Sequence, residues 1–220
     1  QVQSQTDPMG VVTAFRYDGL RRRVLVVQSF VDNGEDPALW LWDATDARWE
    51  KSGGAAISFG ANNDENIIVS AAYDKAGRMT SLRGPLGKLT TYAYDLLDRR
   101  TSKTNPLSKT WATAYALITS GASGGTSRAT LTDPNGVNTQ RDTDLAGRLA
   151  SIQYGLPGST PDVKFTYDKR GSRTLMSEYS GAGFTSKNRE TSYSYDDVRR
   201  LTSVGFDNDG SGSVDQTVSY

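Results

Sequence analysis

The chain has 220 residues, with 22 glycines, 11 tyrosines and 7 prolines, and 36% of its residues are hydrophobic. It contains no cysteine and no histidine, which excludes disulfides, thiolate metal sites, histidine-ligated zinc, the Ser-His-Asp triad and the Cys-His pair. Its 25 basic and 25 acidic residues give a formal net charge of zero, which argues against a broad surface for nucleic acid or anionic membrane. No run of about 18 apolar residues occurs, so no membrane span is predicted.

Aromatic residues two positions apart predict β-strands along the chain, because residues i and i+2 lie on one face of a strand. The pairs, in chain order, are Phe15/Tyr17, Trp40/Trp42, Tyr92/Tyr94, Phe165/Tyr167 and Tyr193/Tyr195. We expect stacked hairpins built from such strands to line one face of a sheet with aromatic side chains.

An aspartate follows the last aromatic residue of most of these strands. The Tyr-Asp positions and their variants are Tyr17-Asp18, Trp42-Asp43, Tyr73-Asp74, Tyr94-Asp95, Thr143-Asp144, Tyr167-Asp168 and Tyr195-Asp196, and Tyr115-Ala116 is a copy without the aspartate. An aspartate carboxylate accepts backbone N–H groups two residues on and so starts a turn. We therefore interpret these aspartates as turn residues, because catalytic carboxylates need distinct environments rather than a repeated one.

The residues after the aspartate are also patterned. Gly77 and Arg78 follow Asp74 as Gly147 and Arg148 follow Asp144, and glycine tolerates the positive φ that closes a turn. The stretches 43–48 and 168–173 carry one more residue before the arginine. We expect each arginine to form a cross-strand pair with an acidic neighbour, with binding of anionic sugars or a cargo as the alternative.

Proline-containing turns precede the Tyr-Asp strands, at 6–10, 83–87, 104–108 and 132–136. Each unit is then a strand, an aspartate turn, a strand and a proline turn, and about eight units fill residues 1–220. The predicted fold is all-β, with consecutive antiparallel hairpins in one continuous curved or spiralling sheet that forms a single domain. The units at residues 30–71 are irregular, and residues 121–126 and 205–213 are predicted to be loops. Residues 62–72 are the one helix candidate, but the apolar residues 67–69 within it favour a strand.

This pattern resembles the YD repeat of Rhs proteins, a family that includes bacterial insecticidal toxin-complex subunits and animal teneurins. The clearest copies are Pro85–Arg99, Asp133–Ile152, Phe165–Arg173 and Tyr193–Val204. The resemblance implies a β-sheet strip that spirals into a hollow shell, which encloses a toxic domain in the bacterial members and belongs to an extracellular adhesion protein in teneurins. The chain has no counterpart of the C-terminal Arg/Asp-Pro-rich block, so self-cleavage and cargo are not carried over.

The expected function is that of a structural shell or extracellular scaffold segment, secreted or at a bacterial cell surface. Its partners would be further YD repeats of the same or another chain, an enclosed toxin domain, or a cell-surface glycan or protein. A binding module for glycans or proteins is the first alternative. A polysaccharide-active enzyme that works without histidine is the second, although no catalytic constellation stands out from the repeat. Gln1 in place of methionine favours a mature product or an excised piece.

Two places outside the repeat suggest specific binding. The oxygen-bearing side chains of one loop resemble the start of an EF-hand calcium loop: Asp207, Asp209, Ser211, Ser213 and Asp215. Val218 stands where the bidentate glutamate belongs, which favours a plain polar hairpin loop; calcium is the one cofactor considered. Trp49, just past a turn, is expected to be an exposed aromatic residue that binds a ligand, whereas Trp40 and Trp42 are expected in the core.

Overall fold

The protein is all-β in a computed structural model that describes residues 2–30, 37–46, 48–51, 57, 66–118, 126–155, 160–180 and 183–220. The strands are β1 Val2–Thr6, β2 Val12–Tyr17, β3 Arg23–Gln28, β4 Trp40–Asp43, β5 Arg48–Lys51, β6 Ile67–Tyr73, β7 Met79–Arg83, β8 Leu89–Tyr94, β9 Arg100–Thr104, β10 Thr110–Leu117, β11 Ser127–Thr132, β12 Asn138–Thr143, β13 Leu149–Tyr154, β14 Asp162–Tyr167, β15 Arg173–Tyr179, β16 Lys187–Tyr195, β17 Leu201–Asp207 and β18 Gln216–Ser219. A short 3-10 helix at Pro37–Leu39 is the other regular element of these residues. None of the described helical structure is long and apolar enough to cross a membrane.

Sixteen strands form one sheet whose spatial order follows the chain from β1 to β18, omitting only β4 and β5. Neighbouring strands are antiparallel wherever their register is recorded, as expected when short turns join them. The predicted all-β fold of consecutive hairpins in one sheet is confirmed. Residues 67–69 lie in β6, as predicted, whereas 62–65 and 121–125 lie outside the described residues.

The chain divides into two compact units, residues 1–110 and 111–220. In the first unit the apolar core lies between the sheet and the hairpin β4–β5. Val27 and Ile68 of the sheet pack with Trp40 and Trp49 of the hairpin, and all four are at most 3% exposed. The hairpin thus supplies the large apolar surface that covers one part of the sheet.

The prediction that Trp42-Asp43 is a repeat in line with the others is wrong. Both residues belong to the separate two-stranded sheet β4–β5, in which Trp42 faces Trp49. The two indoles meet edge to face, with centroids 5.4 Å apart. Trp40 and Trp49 belong to the buried core cluster and Trp42 packs against it, so the hairpin is held by its indoles and not by a place in the main sheet.

In the second unit polar side chains occupy several of the buried positions. Asp142 is 1% exposed and receives two hydrogen bonds from Arg128 across the β11–β12 pair, at 2.7 and 2.8 Å. Ser151 on β13 lies beside it, with its hydroxyl 3.4 Å from the same carboxylate. The two parallel hydrogen bonds from the Arg128 guanidinium compensate the buried charge of the Asp142 carboxylate, which would otherwise oppose folding.

Candidate functional site: the repeated turn and its contact with the next hairpin

Each Tyr-Asp position lies at the start of a tight turn between two strands. At Asp74 the main-chain carbonyl accepts the N–H of Gly77 at 3.1 Å, and the main-chain N–H donates to the carbonyl of Arg78 at 3.0 Å. The carboxylate Oδ1 accepts the N–H of Arg78 at 2.9 Å. The same main-chain pair of hydrogen bonds closes the turns that start at Asp18, Asp95, Asp144, Asp168 and Asp196. These aspartates therefore hold the turns through their own carboxylates, by the mechanism that favours aspartate at such positions.

The arginine four residues after the aspartate pairs with an acidic neighbour, and that neighbour is the aspartate on the other side of its own turn. Its Nε or terminal nitrogen lies 2.7 Å from Oδ2 of the aspartate of its own turn, in Arg22, Arg78, Arg99, Arg148 and Arg200. The reason is geometric: the turn closes between these two positions and brings their side chains together. Side-chain and then backbone hydrogen bonds from Arg148 hold the pKa of Asp144 below its ordinary value.

The same arginine also reaches the next hairpin of the sheet. Arg78 donates from Nη1 to the main-chain carbonyl of Asp95 at 2.7 Å, and its guanidinium lies 5.0 Å from the ring centroid of Tyr94. The hydroxyl of Tyr94 donates back to the carbonyl of Met79 at 2.9 Å. Two hydrogen bonds and one cation–π contact thus join consecutive hairpins. We call this set of contacts the clasp.

The clasp recurs in both units. The arginine, the tyrosine that it covers and the aspartate whose carbonyl it binds are Arg22/Tyr73/Asp74, Arg78/Tyr94/Asp95 and Arg148/Tyr167/Asp168. The returning tyrosine hydroxyl binds Arg23, Met79 and Leu149 respectively. Tyrosine, aspartate and arginine therefore act together across adjacent hairpins. The spacing of these residues in the sequence predicts a local turn but does not reveal the contact between hairpins, which links an arginine to a carbonyl 17 to 52 positions further along the chain.

The turn at Asp168 differs from the others. The sequence suggests one extra residue before Arg173, but the turn closes over the same four-residue step, with Ser172 in the position of the clasp arginine. Arg173 instead occupies the position of Arg23, and its guanidinium lies 5.7 Å from the ring of Phe165 as that of Arg23 lies 4.5 Å from Phe15. The additional residue before Arg173 therefore does not lengthen the turn, and Ser172 leaves this turn without a clasp arginine.

In the loop that resembles a calcium site, a carboxylate accepts hydrogen bonds from the backbone of the loop itself. Oδ1 of Asp207 accepts the N–H of Gly210 and Oδ2 accepts that of Gly212, each at 2.7 Å. Carboxylate oxygens of Asp207, Asp209 and Asp215 lie within 4.8 Å of one another, while Ser211 Oγ accepts the N–H of Ser213 at 3.3 Å. Val218 lies on β18 opposite Val204, so it supplies no ligand at the position of the missing glutamate. Calcium binding at this loop stays a prediction.

Trp49 is not the exposed aromatic residue that the sequence suggests. Its side chain is buried, at 3% exposure, and its indole N–H donates to the carbonyl of Pro85 at 3.2 Å. Trp49 lies on the inner face of β5 because the alternation along this short strand turns it toward the sheet. A stacking site for sugar rings at Trp49 therefore has no exposed ring face to use.

Comparison with known proteins supports the repeat. A family model described as RHS Repeat matches residues 73–110. The fold is similar to two solved structures, the crystal structures of TcdB2-TccC3 and of TcdB2-TccC3 without its hypervariable C-terminal region. The TM-scores are 0.53 and 0.55, and in both cases the identity is 17% over 88% of this chain.

The chain spans 9% of the length of each of these two structures. No curated protein matches its sequence. The matched stretch, 73–110, contains the Tyr94-Asp95 turn, where Arg78 forms its clasp. The resemblance to the Rhs/YD-repeat family is confirmed by the match of the RHS Repeat model at residues 73–110.

Proposed function

We propose that this chain is a structural segment, a stretch of wall in a β-sheet shell built from Rhs repeats. The observation that carries the proposal is the clasp, because the same three residue types attach one hairpin to the next at several places along the sheet. A sheet joined in this way extends by adding hairpins without any change of contact. The fold similarity to toxin-complex structures and the RHS repeat at 73–110 support the same role.

The enclosure of a toxic cargo and a secreted location are further parts of the proposal. Support for both comes from the fold similarity to TcdB2-TccC3 and from the resemblance of the repeats to bacterial toxin-complex subunits. A non-catalytic role fits the turn geometry, since the carboxylates of the repeated aspartates accept hydrogen bonds from the backbone of their own turns and pair with the arginines there. The glycan-binding alternative loses its main support because Trp49 is buried.

The test is self-association of the 220-residue chain, because a wall segment continues its sheet at an edge strand. All four residues of β18 are exposed, and the N–H of Tyr220 donates inward to Thr202. By the two-residue alternation of an antiparallel ladder, the N–H of Thr217 points away from β17. We expect size-exclusion chromatography with light scattering to show concentration-dependent association.

The matched variant is Thr217→Pro, which removes an outward N–H without touching the β17–β18 hydrogen bonds. It should reduce the association and leave the circular dichroism spectrum unchanged. A well-folded chain that stays strictly monomeric at all concentrations would count against the wall proposal.

A further inference from the structure

One turn of the second unit has an open groove where the other turns hold an arginine. The groove has a volume of about 370 Å³ and lies between the turns that start at Asp168 and Asp196. Tyr195 and Ser172 line it. In the equivalent space of the other clasps, the arginine at the position of Ser172 fills the gap between consecutive turns.

Each group that receives a clasp arginine is present in this groove. Oδ2 of Asp168 corresponds to the oxygen that binds Nε in the other turns, and it accepts no hydrogen bond from any residue that the structure describes. The hydroxyl of Tyr195 donates to the carbonyl of Arg173 at 3.0 Å, which fixes the ring as the other clasp tyrosines are fixed. The carbonyl of Asp196 corresponds to the acceptor of Nη1, and no cation of the described chain lies over the Tyr195 ring.

The three filled clasps show what this arrangement accepts. In each, a guanidinium lies 4.6–5.0 Å from the tyrosine ring centroid, with Nε 2.7 Å from the carboxylate and Nη1 2.7–3.2 Å from the carbonyl. A planar fork that donates in two directions and stacks on an aromatic face is specific to guanidinium, since an ammonium has neither the plane nor the fixed fork.

The cations that line the groove do not fill the arginine position. Lys169, Arg170 and Arg199 reach it from the exposed parts of the two turns. Arg170 donates from Nη1 to the carbonyl of Asp197 at 3.0 Å and makes no contact with Oδ2 of Asp168 among the described residues. The carboxylate of Asp196 is already paired with Arg200 at 2.7 Å. The Asp168 carboxylate, at the position that binds the arginine in the filled clasps, therefore remains available to an incoming cation.

We infer that the groove between the turns at Asp168 and Asp196 is a binding site for a guanidinium group, supplied by an arginine side chain of a polypeptide partner. The partner's arginine would complete a fourth clasp, with Asp168 Oδ2, the Tyr195 ring and the Asp196 carbonyl as its receptors. This inference goes beyond the wall proposal, because it concerns a contact made at the turns rather than at an edge strand.

The experiment is a titration of the 220-residue chain, followed by the backbone amide NMR signals of residues 168–172 and 195–199. The probes are N-acetyl-arginine amide, the neutral isostere N-acetyl-citrulline amide, N-acetyl-lysine amide, free arginine and a short arginine-containing peptide. We expect millimolar binding of the capped arginine, and at least about tenfold weaker binding of the citrulline and lysine compounds. Tighter binding of the peptide than of free arginine would support a polypeptide partner, and the reverse would overturn that part of the inference.

Two variants make the test specific. Asp168→Asn removes the charge but keeps the turn, because Asn105 holds an equivalent turn in this chain with its side-chain oxygen, which accepts the N–H groups of Leu107 and Lys109. It should weaken binding of capped arginine at least about tenfold. The matched control is Asp144→Asn, whose clasp is already filled by Arg148 and which should leave the binding unchanged.

Ser172→Arg supplies the missing arginine within the chain. It should abolish binding of capped arginine and raise the midpoint of thermal unfolding. Arg170→Ala should bind capped arginine at least as well as the unmodified chain, because Arg170 lines the groove without filling it. Equal binding of arginine and lysine compounds, or undiminished binding in both Asp168→Asn and Ser172→Arg, would overturn the inference.

Discussion

The hydroxyl of Tyr94 donates to the carbonyl of Met79 at 2.9 Å and so joins two consecutive hairpins. Tyr94→Phe removes this hydrogen bond and keeps the ring, and we expect it to lower the free energy of unfolding by about 1 kcal/mol. Urea unfolding followed by circular dichroism measures the change. Tyr92→Phe, two residues earlier on the same strand, is the control, because the hydroxyl of Tyr92 makes no hydrogen bond to the described residues. Equal effects of the two changes would contradict the role of the clasp.

Arg78 contributes to the clasp through the shape of its side chain as well as its charge. Arg78→Lys keeps the charge but cannot hold Asp74, the Asp95 carbonyl and the Tyr94 ring at once. We expect a lower urea midpoint and, in a double-mutant cycle with Tyr94→Leu, which removes the ring, an effect smaller than the sum of the two single changes. Arg21→Lys, at an exposed position of a neighbouring turn, should leave the midpoint unchanged; simple additivity in the cycle would argue against the contact.

Gly87 has two reasons to be glycine. Its φ is +72°, and a Cβ at this position would enter the indole ring of Trp42. Gly87→Ala should therefore cost more than about 2 kcal/mol of unfolding free energy, combining backbone strain with overpacking. Gly136→Ala is the matched control, because Gly136 has φ +83° and open space around the added Cβ, so about 1 kcal/mol is expected. Similar losses at both positions would mean that Trp42 moves aside freely.

Truncation of Trp49 tests whether the β4–β5 hairpin is part of the core. Trp49→Ala should lower the free energy of unfolding by about 3–5 kcal/mol, the range for truncating a buried aromatic side chain. Leu41→Ala on the same hairpin, at a side chain that is 51% exposed, should cost under about 1 kcal/mol. Calorimetry of both variants distinguishes a core hairpin from a surface attachment, for which the two losses would be alike.

The turn aspartates predict how stability depends on pH. The pKa values of Asp18, Asp74, Asp95, Asp144 and Asp196 lie below the ordinary 3.8. As the pH falls through the ordinary value, the unfolded chain binds protons first, so stability is complete above that pH and is lost as the pH falls through the native pKa values. Urea midpoints from about pH 7 to about pH 2 should show a fall that begins near pH 4.

The control for this dependence is Asp144→Asn, which removes one of the titrating groups and keeps the side-chain oxygen that the turn needs. Its midpoint should be lower at neutral pH and should fall less steeply in acid. A midpoint that stays constant below pH 4 in the unmodified chain would contradict the contribution of the carboxylates.

Much of the fold is readable from the sequence because its signals are local. The alternation around Tyr92 and Tyr94 predicts a strand, and Asp95 predicts a turn, since both depend on residues within a few positions. The all-β fold follows from repeating these local signals. The place of the β4–β5 hairpin is not readable in this way, because Trp40 and Trp42 carry the same local pattern as the repeats and only the packing of their indoles decides where the hairpin lies.

The clasp could not be derived from local patterns. Its arginine and tyrosine are separated by variable numbers of residues, and their contact depends on how two antiparallel hairpins stand side by side in the sheet. The burial of Trp49 is hidden from the sequence for a related reason: its position after a turn suggests exposure, while the register of β5 with β4 turns it inward. The sequence does show that Ser172 stands where other turns have an arginine. What this difference means becomes clear only from the clasps in which the arginine is present.

The order of the strands within each unit has a consequence for how the chain folds. Each main-sheet strand pairs with the next main-sheet strand along the chain, and only the connection from β3 to β6, which contains the β4–β5 hairpin, is long. A hairpin such as β6–β7 or β14–β15 can therefore dock soon after it leaves the ribosome, without waiting for a distant segment. The clasp arginine then precedes its tyrosine in synthesis, so the older hairpin presents the guanidinium and the newer one supplies the ring. Growth of the sheet thus has a direction, and at each step the most recent strand is the edge on which the next one assembles.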